Sequence, residues 1–496
     1  MKRNVGILMP VSSLPSPYGI GTMGRAAYRF IDYLKGCKCG IWQVLPLQPT
    51  SYGDSPYSSF CAYALNHYLI DLDLLVENGL LTKEECAAPD WGSDERRVDY
   101  GRLYSGRVAI LRKAFARFDR ADKPWRDFLE EGKYREYALF MSLKERFGGA
   151  SSEEWGVYRE YGEEAEAFAR EHEEDVLFWQ FTQFLFLRQW NDLKAYAHAR
   201  NVKIIGDIPF YVARDSVEMW KHKRELFLLD GNGSPESQAG VPPDAFSSTG
   251  QLWGNPVYDW EKMKKDGYKW WHNRIEEGLS LYDTLRIDHF IGFVRYYAIP
   301  MAETDARVGQ WRKGPGAELF KGFEGRSIVA EDLGVVTDEV RAAVKETGYP
   351  GMKILQHAFD GWRDNEHRPS NYTENIVAYT GTHDNETLKT RIDNMNGYEY
   401  DRMLSVLKEE CGEAGVTVRC NSREAVCKTI LRLLYACRAN TIVFPLQDAL
   451  LTGEESRLNM PSVVSSKNWS YRFLESDFTA ALQRRLARLA ERSGRI

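Results

Sequence analysis

Cys-x-x-Cys pairs are missing from this chain, and its eight cysteines (Cys37, Cys39, Cys61, Cys86, Cys411, Cys420, Cys427 and Cys437) form no dense framework. That excludes a disulfide scaffold and leaves reduced thiols in a cytoplasmic protein. The opening MKRNVGILMP lacks the apolar stretch of a signal peptide. The most apolar helix-like run, 176–187, is broken by Gln180 and Gln183 and is too short to span a bilayer, so no membrane partner is expected. No long basic run occurs, and the net charge is −6, which argues against a nucleic-acid partner and suits a neutral substrate. Histidine is scarce, nine in 496 residues, with no His-x-His after the first strand, so a metal centre of converging imidazoles finds little support. No internal repeat, low-complexity segment or linker between independent domains is visible.

Aromatic residues, by contrast, are abundant at 13%, with 14 Trp and 27 Tyr. Burial is the commoner use of any one ring, but sugar-binding surfaces use the same rings as apolar platforms with polar edges. Eight short Val/Ile/Leu-rich runs, at 5–9, 41–47, 203–208, 283–288, 327–331, 352–356, 375–380 and 441–444, read as strands separated by helical patterns. A doubly wound sheet would alternate in the same way, and the count of eight favours a (β/α)8 TIM barrel. The length accommodates a barrel of roughly 250 residues plus insertions. The expected organisation is one catalytic barrel over 1–496 with two insertions, a helical one at about 48–175 and a lid or cleft wall at about 211–282. The second contains GVPPDAFSSTGQLWGNPVYDW (240–260), whose Phe246, Trp253, Tyr258 and Trp260 argue against disorder.

Three of the strand-like runs end on a carboxylate: DTLRIDHF (283–290), RSIVAEDLG (326–334) and NIVAYTGTHDN (375–385). A TIM barrel puts its chemistry at the C-terminal ends of its strands, so Asp288, Glu331 and Asp384 can converge. Converging acids suggest glycosyl transfer, in which one attacks and another donates a proton. Arg286 and Asp288 share a face by strand alternation, and the guanidinium keeps Asp288 ionised, as a nucleophile must be; a purely structural ion pair is the competing reading. Glu331, sheltered after an apolar strand, can hold a proton for the leaving oxygen. Asp332 competes for that role but faces the other way and can instead cap the next helix. On neighbouring strands roughly 4.8 Å apart, the two acids approach the roughly 5–5.5 Å separation of a retaining mechanism. Asp384 has a bland alternative as a helix N-cap, and the adjacent His383 strengthens a sugar-contacting role.

Seven segments together resemble the amylomaltases, 4-alpha-glucanotransferases related to the alpha-amylase superfamily. They are ILMPVSSLPSPYGIG (7–21), SYGDSPYSSFCAYALN (51–66), GDIPFYVARDS (206–216), VPPDAFSSTGQLWGNPVYDW (241–260), RIDHF (286–290), VAEDLG (329–334) and TGTHDN (380–385). The resemblance implies a barrel with inserted subdomains, and Asp288 as nucleophile, Glu331 as acid/base and Asp384 as the acid that holds and distorts the reacting sugar. It implies sugar contacts by Tyr57, Asp207, Trp253, Arg286, His383 and Asn459. It implies no cofactor and no metal, with maltooligosaccharides and α-1,4-glucans as donors and acceptors and glucose as an acceptor. Three positions depart from the family's pattern: Ile291 stands where Arg is usual, His357 where Phe is common, and Ser462 where Gly follows Asn-x-Pro. The first two are expected to alter acceptor preference, the third to affect the placement of Asn459. Plain hydrolysis of α-1,4-glucans and catalytically silent glucan binding are the competing functions. The aromatic lid favours transfer, because it can exclude water and hold an acceptor.

Overall fold

The computed structural model describes residues 3–243 and 247–495. Twelve strands occur among them: β1 Asn4–Leu8, β2 Ile41–Gln43, β3 Lys203–Ile208, β4 Ser237–Val241, β5 Gln251–Pro256, β6 Thr284–Ile287, β7 Arg295–Pro300, β8 Gln310–Lys313, β9 Ile328–Ala330, β10 Gly351–Ile354, β11 Ile376–Tyr379 and β12 Thr441–Pro445. Eight pair in parallel in the order β10-β11-β12-β1-β2-β3-β6-β9. The ring closes between β9 and β10, where the Ala330 N–H donates to the Pro350 carbonyl at 3.0 Å and the Met352 N–H to Asp332 Oδ1 at 2.7 Å. A Cβ at position 351 would lie 2.5 Å from Asp332 Oδ2, so the seam depends on Gly351. The fold is therefore the expected (β/α)8 barrel, and each of its strands is one read from sequence. The strand expected at 41–47 stops at Gln43: Val44 adds one bond to Ile205, and Pro46 has no N–H to continue the ladder.

The chain between β2 and β3 is helical, from Leu72–Glu77 to the 26-residue helix Glu173–His198 that leads back into β3. The middle of that last helix, 176–190, is buried on nearly all sides, which accounts for its apolar sequence. Two of its three buried amides clamp the extended segment that follows β2. Gln183 bonds both the N–H and the carbonyl of Leu65, at 2.7 and 2.9 Å, and Gln189 does the same for Asp71, at 2.7 and 3.1 Å. Buried peptide groups that no strand serves are thus satisfied, each bond contributing about 1 kcal/mol net. Among the described residues no helix is long and apolar enough to cross a membrane.

The segment read as an irregular lid is more ordered than its Gly/Pro-rich composition suggests. β4 and β5 join β7 and β8 in a four-stranded antiparallel sheet, order β5-β4-β7-β8. Its aromatic residues divide: Tyr258 and Trp260 are buried, packed on Phe210 and Trp271, while Trp253 stays 37% exposed. Phe246 lies outside the described residues.

Candidate active site

β6 and β9 are adjacent and in register, Arg286 opposite Val329 and Ile287 opposite Ala330. The next residues along the two strands are Asp288 and Glu331, so these carboxylates leave neighbouring strand ends side by side. Arg286 is buried and grips two acids. Its Nη1 meets Asp207 Oδ2 at 2.5 Å and its Nη2 meets Asp288 Oδ1 at 3.0 Å. Asp207 comes from β3, opposite Arg286 in the ladder, and is fully enclosed. Asp288 keeps 27% of its side chain accessible. The structural ion pair is therefore Arg286–Asp207, and Asp288 retains open lone pairs at the barrel mouth.

Glu331 is fixed by two backbone donors, the His289 N–H on Oε2 at 2.7 Å and the Leu333 N–H on Oε1 at 2.8 Å. Burial, assisted by the Asp288 charge, pushes its carboxyl up to about 8 against the opposing pull of Arg286 and the two N–H groups. It therefore holds its proton at neutral pH. The donor His289 sits at φ 48°, a conformation costly for a residue with a side chain and found where a site over-determines the backbone. Burial lowers its imidazole to about 4, so it is neutral where it packs against Phe210 and Trp253. Asp332 does not cap the next helix; Thr337 does, its hydroxyl accepting from Val340. Asp332 instead serves the barrel seam and is occupied there.

Asp384 arrives on the loop after β11. Burial would raise its carboxyl, but His383 (Nε2 to Oδ2, 3.3 Å), the Asn459 amide (Nδ2 to Oδ1, 2.7 Å) and the charge of Arg286 outweigh it and hold the group at about 2. The side chain is 47% accessible, so an ionised acid faces the cleft. Tyr57 stacks on His383, ring centres 4.7 Å apart and 18° from parallel, and Trp469 tilts against both. The Tyr57 hydroxyl donates to Asp207 at 2.7 Å and lies 3.3 Å from His383 Nδ1. One polar chain thus crosses the mouth, Asp288–Arg286–Asp207–Tyr57–His383–Asp384–Asn459, joining residues from β3, β6 and the loops after β2, β11 and β12. Trp253 stands edge-on to His289, 5.2 Å away, and completes the set of residues singled out in sequence.

Sequence reasoning passed over three residues here. Trp469 carried no pattern, and His289, although inside the RIDHF segment, was given no role. Asp448 did carry a signal, an acid just beyond a strand end, but it sits in a helical turn, Leu446–Leu450. It is buried, accepts from Thr380 and, at 2.7 Å, from the Leu388 N–H, and so ties both ends of the loop bearing His383 and Asp384. Of the departures from the family pattern, Ile291 is buried beside the site. His357 does reach the site, its Nε2 3.4 Å from the Asn385 amide. Ser462 adopts φ 64°, which accounts for glycine being usual there. Ser462→Gly removes a left-handed cost of roughly 1–2 kcal/mol and adds a smaller chain-entropy cost, so it is expected to stabilise by about 0.5–1 kcal/mol. A urea midpoint that stays in place or falls would contradict this.

Residues 9–477 match the family described as 4-alpha-glucanotransferase. A 4-alpha-glucanotransferase of Clostridium butyricum is 42% identical, with 98% of this chain and 100% of that protein covered. One of Thermus thermophilus is 42% identical with 100% of both covered. The structure of an amylomaltase from Streptococcus agalactiae in complex with acarbose superposes with a TM-score of 0.93 at 39% identity, over 100% of each chain.

Proposed function

This chain belongs to the 4-alpha-glucanotransferase family, and from that premise we propose that it moves segments of α-1,4-glucan to the 4-hydroxyl of an acceptor by a retaining double displacement at Asp288 and Glu331. The observation that carries the reading is the in-register pair at the ends of β6 and β9, one acid ion-paired with Arg286 and open, the other buried, where desolvation favours its protonated form. In the first step Asp288 attacks the anomeric carbon while the Glu331 proton passes to the leaving glycosidic oxygen. In the second, Glu331, now a carboxylate, takes the proton of the incoming hydroxyl as it displaces Asp288. Asp384, kept ionised, accepts hydrogen bonds from the reacting glucose. The stacked Tyr57 and His383 form the wall beside it, while Asp207, fully enclosed, touches no sugar and instead holds Arg286 and the Tyr57 hydroxyl in place, which corrects the sugar contact expected of it.

Maltooligosaccharides and longer α-1,4-glucans are the proposed donors and acceptors, with glucose the smallest acceptor. The barrel and its two intervening segments act as one catalytic unit. All eight cysteines are free thiols, which supports the cytoplasm as the compartment. Chromatography of products from maltotriose tests the function. A ladder of shorter and longer oligomers is expected, whereas glucose and maltose alone mean hydrolysis and no change means binding only.

Trp253 favours transfer over hydrolysis. It projects from β5 beside His289, next to the paired acids, where a ring can hold an acceptor and exclude water. Trp253→Ala is expected to raise the hydrolysed share about three-fold or more by loss of the stacking surface. An unchanged transfer-to-hydrolysis ratio would assign Trp253 to packing.

A further inference from the structure

The loop after β10 holds a tryptophan out to solvent on a rigid support. Trp362 is 71% exposed. Its backbone N–H donates to Asp360 Oδ1 at 2.9 Å and its carbonyl accepts from the Arg368 guanidinium at 3.5 Å. Asn365 donates to the His357 carbonyl and to Asp360 Oδ2, at 2.9 and 2.8 Å, and Asn371 donates to the carbonyls of Arg363 and Asn365, each at 2.8 Å. Arg368, itself buried, anchors the loop through Glu409 (2.8 Å) and Glu410 (2.6 Å) to the helix Gly397–Glu413. Near the start of that helix Tyr398 is 76% exposed, with the Arg402 guanidinium 5.5 Å over its ring. Arg402 also lies against Gly361, next to Trp362: its Cδ is 3.5 Å from where a Cβ at 361 would stand. Arg402 therefore lies between the exposed Tyr398 ring and the backbone that carries Trp362. The same loop begins at His357, whose Nε2 lies 3.4 Å from the side-chain amide of Asn385, the residue after Asp384.

We propose that Trp362 and Tyr398, with Arg402 between them, form an outer platform for the distal units of a long α-1,4-glucan, continuous with the cleft along the His357 loop. The proposal rests on the glucan-transfer reading and adds a binding site beyond the reacting units. A glucan offers apolar pyranose faces for the rings and hydroxyls for the guanidinium. Two rings separated by charge are too small for a protein partner, since a stable interface buries roughly 800 Å² per side. The rigid loop lowers the ordering cost of binding, which is where preorganisation strengthens association.

The test compares chain lengths. Trp362→Ala is expected to raise KM for a long linear α-1,4-glucan about three- to ten-fold, from the usual worth of one aromatic stacking contact, and to leave maltotriose kinetics unchanged. Tyr398→Ala is expected to act in the same direction, and Trp362→Phe to restore much of the affinity. Electrophoresis through an amylose-containing gel supplies a readout free of turnover, in which the alanine variants should migrate with less retardation. No change, or an equal change on short and long substrates, would overturn the platform. The two readings fail separately. A wild-type protein that makes no ladder from maltotriose overturns transfer, while retardation undiminished by Trp362→Ala overturns the platform whatever the ladder shows.

Discussion

Asp288→Asn is expected to lower transfer from maltotriose by on the order of 10⁴-fold, while glucan binding changes little. The amide preserves the shape and can still meet Arg286, but it cannot form the glycosyl ester. Arg286 remains neutralised by Asp207, so the polar chain through Tyr57 to His383 survives and the fold is not at stake. The measurement is single-turnover kinetics beside a binding isotherm for maltotriose. Turnover above roughly 10⁻³ of wild type, with deamidation excluded, would remove Asp288 from the nucleophile's role.

Glu331→Gln separates the proton donor from the nucleophile. Glucosyl fluoride needs little protonation to lose fluoride, so the variant should lose on the order of 10²–10⁴ in rate on maltotriose yet still form the glycosyl-enzyme from α-glucosyl fluoride. The incoming sugar hydroxyl then lacks a base, and the intermediate accumulates. Azide needs no base and should discharge it as the α-azide, because two displacements retain configuration. A β-azide would mean direct displacement, and equal losses on both donors with no rescue would leave Glu331 a support for its loop. The pH profile gives a second readout. Since burial lifts this carboxyl to about 8, its proton is present below that pH and lost above it, so wild-type kcat/KM on maltotriose should fall as pH rises through about 8. The glycosylation step with the fluoride donor should show no such alkaline limb, and neither should Glu331→Gln on that donor.

Strand ends and acids were legible in the chain because both are local. A short run of Val, Ile and Leu that stops on a carboxylate, as in TLRID or SIVAE, is written in consecutive residues, and alternation alone puts Arg286 and Asp288 on one face. The barrel, its eight strands and the three candidate acids follow from such runs and from the family resemblance. Other features depend on residues far apart in sequence, and only the tertiary structure decided them. Arg286 could be read as the partner of Asp288, yet its shorter contact is to Asp207 on β3, which a ladder brings beside it. Glu331 and Asp332 are adjacent in sequence and chemically alike. The closing of β9 on β10 gave one the seam and left the other in the cleft, where desolvation raises its pKa. Asp448 ties down the loop of Asp384 from more than 60 residues away. The two strands inside the expected lid were hidden because their pairing with each other and of β4 with β7, rather than their own composition, makes them strands. Propensity and alternation act between neighbours along the chain, whereas burial, charge pairing and barrel closure act between neighbours in space, and these last set which carboxylate at the mouth is open, which is protonated and which is structural.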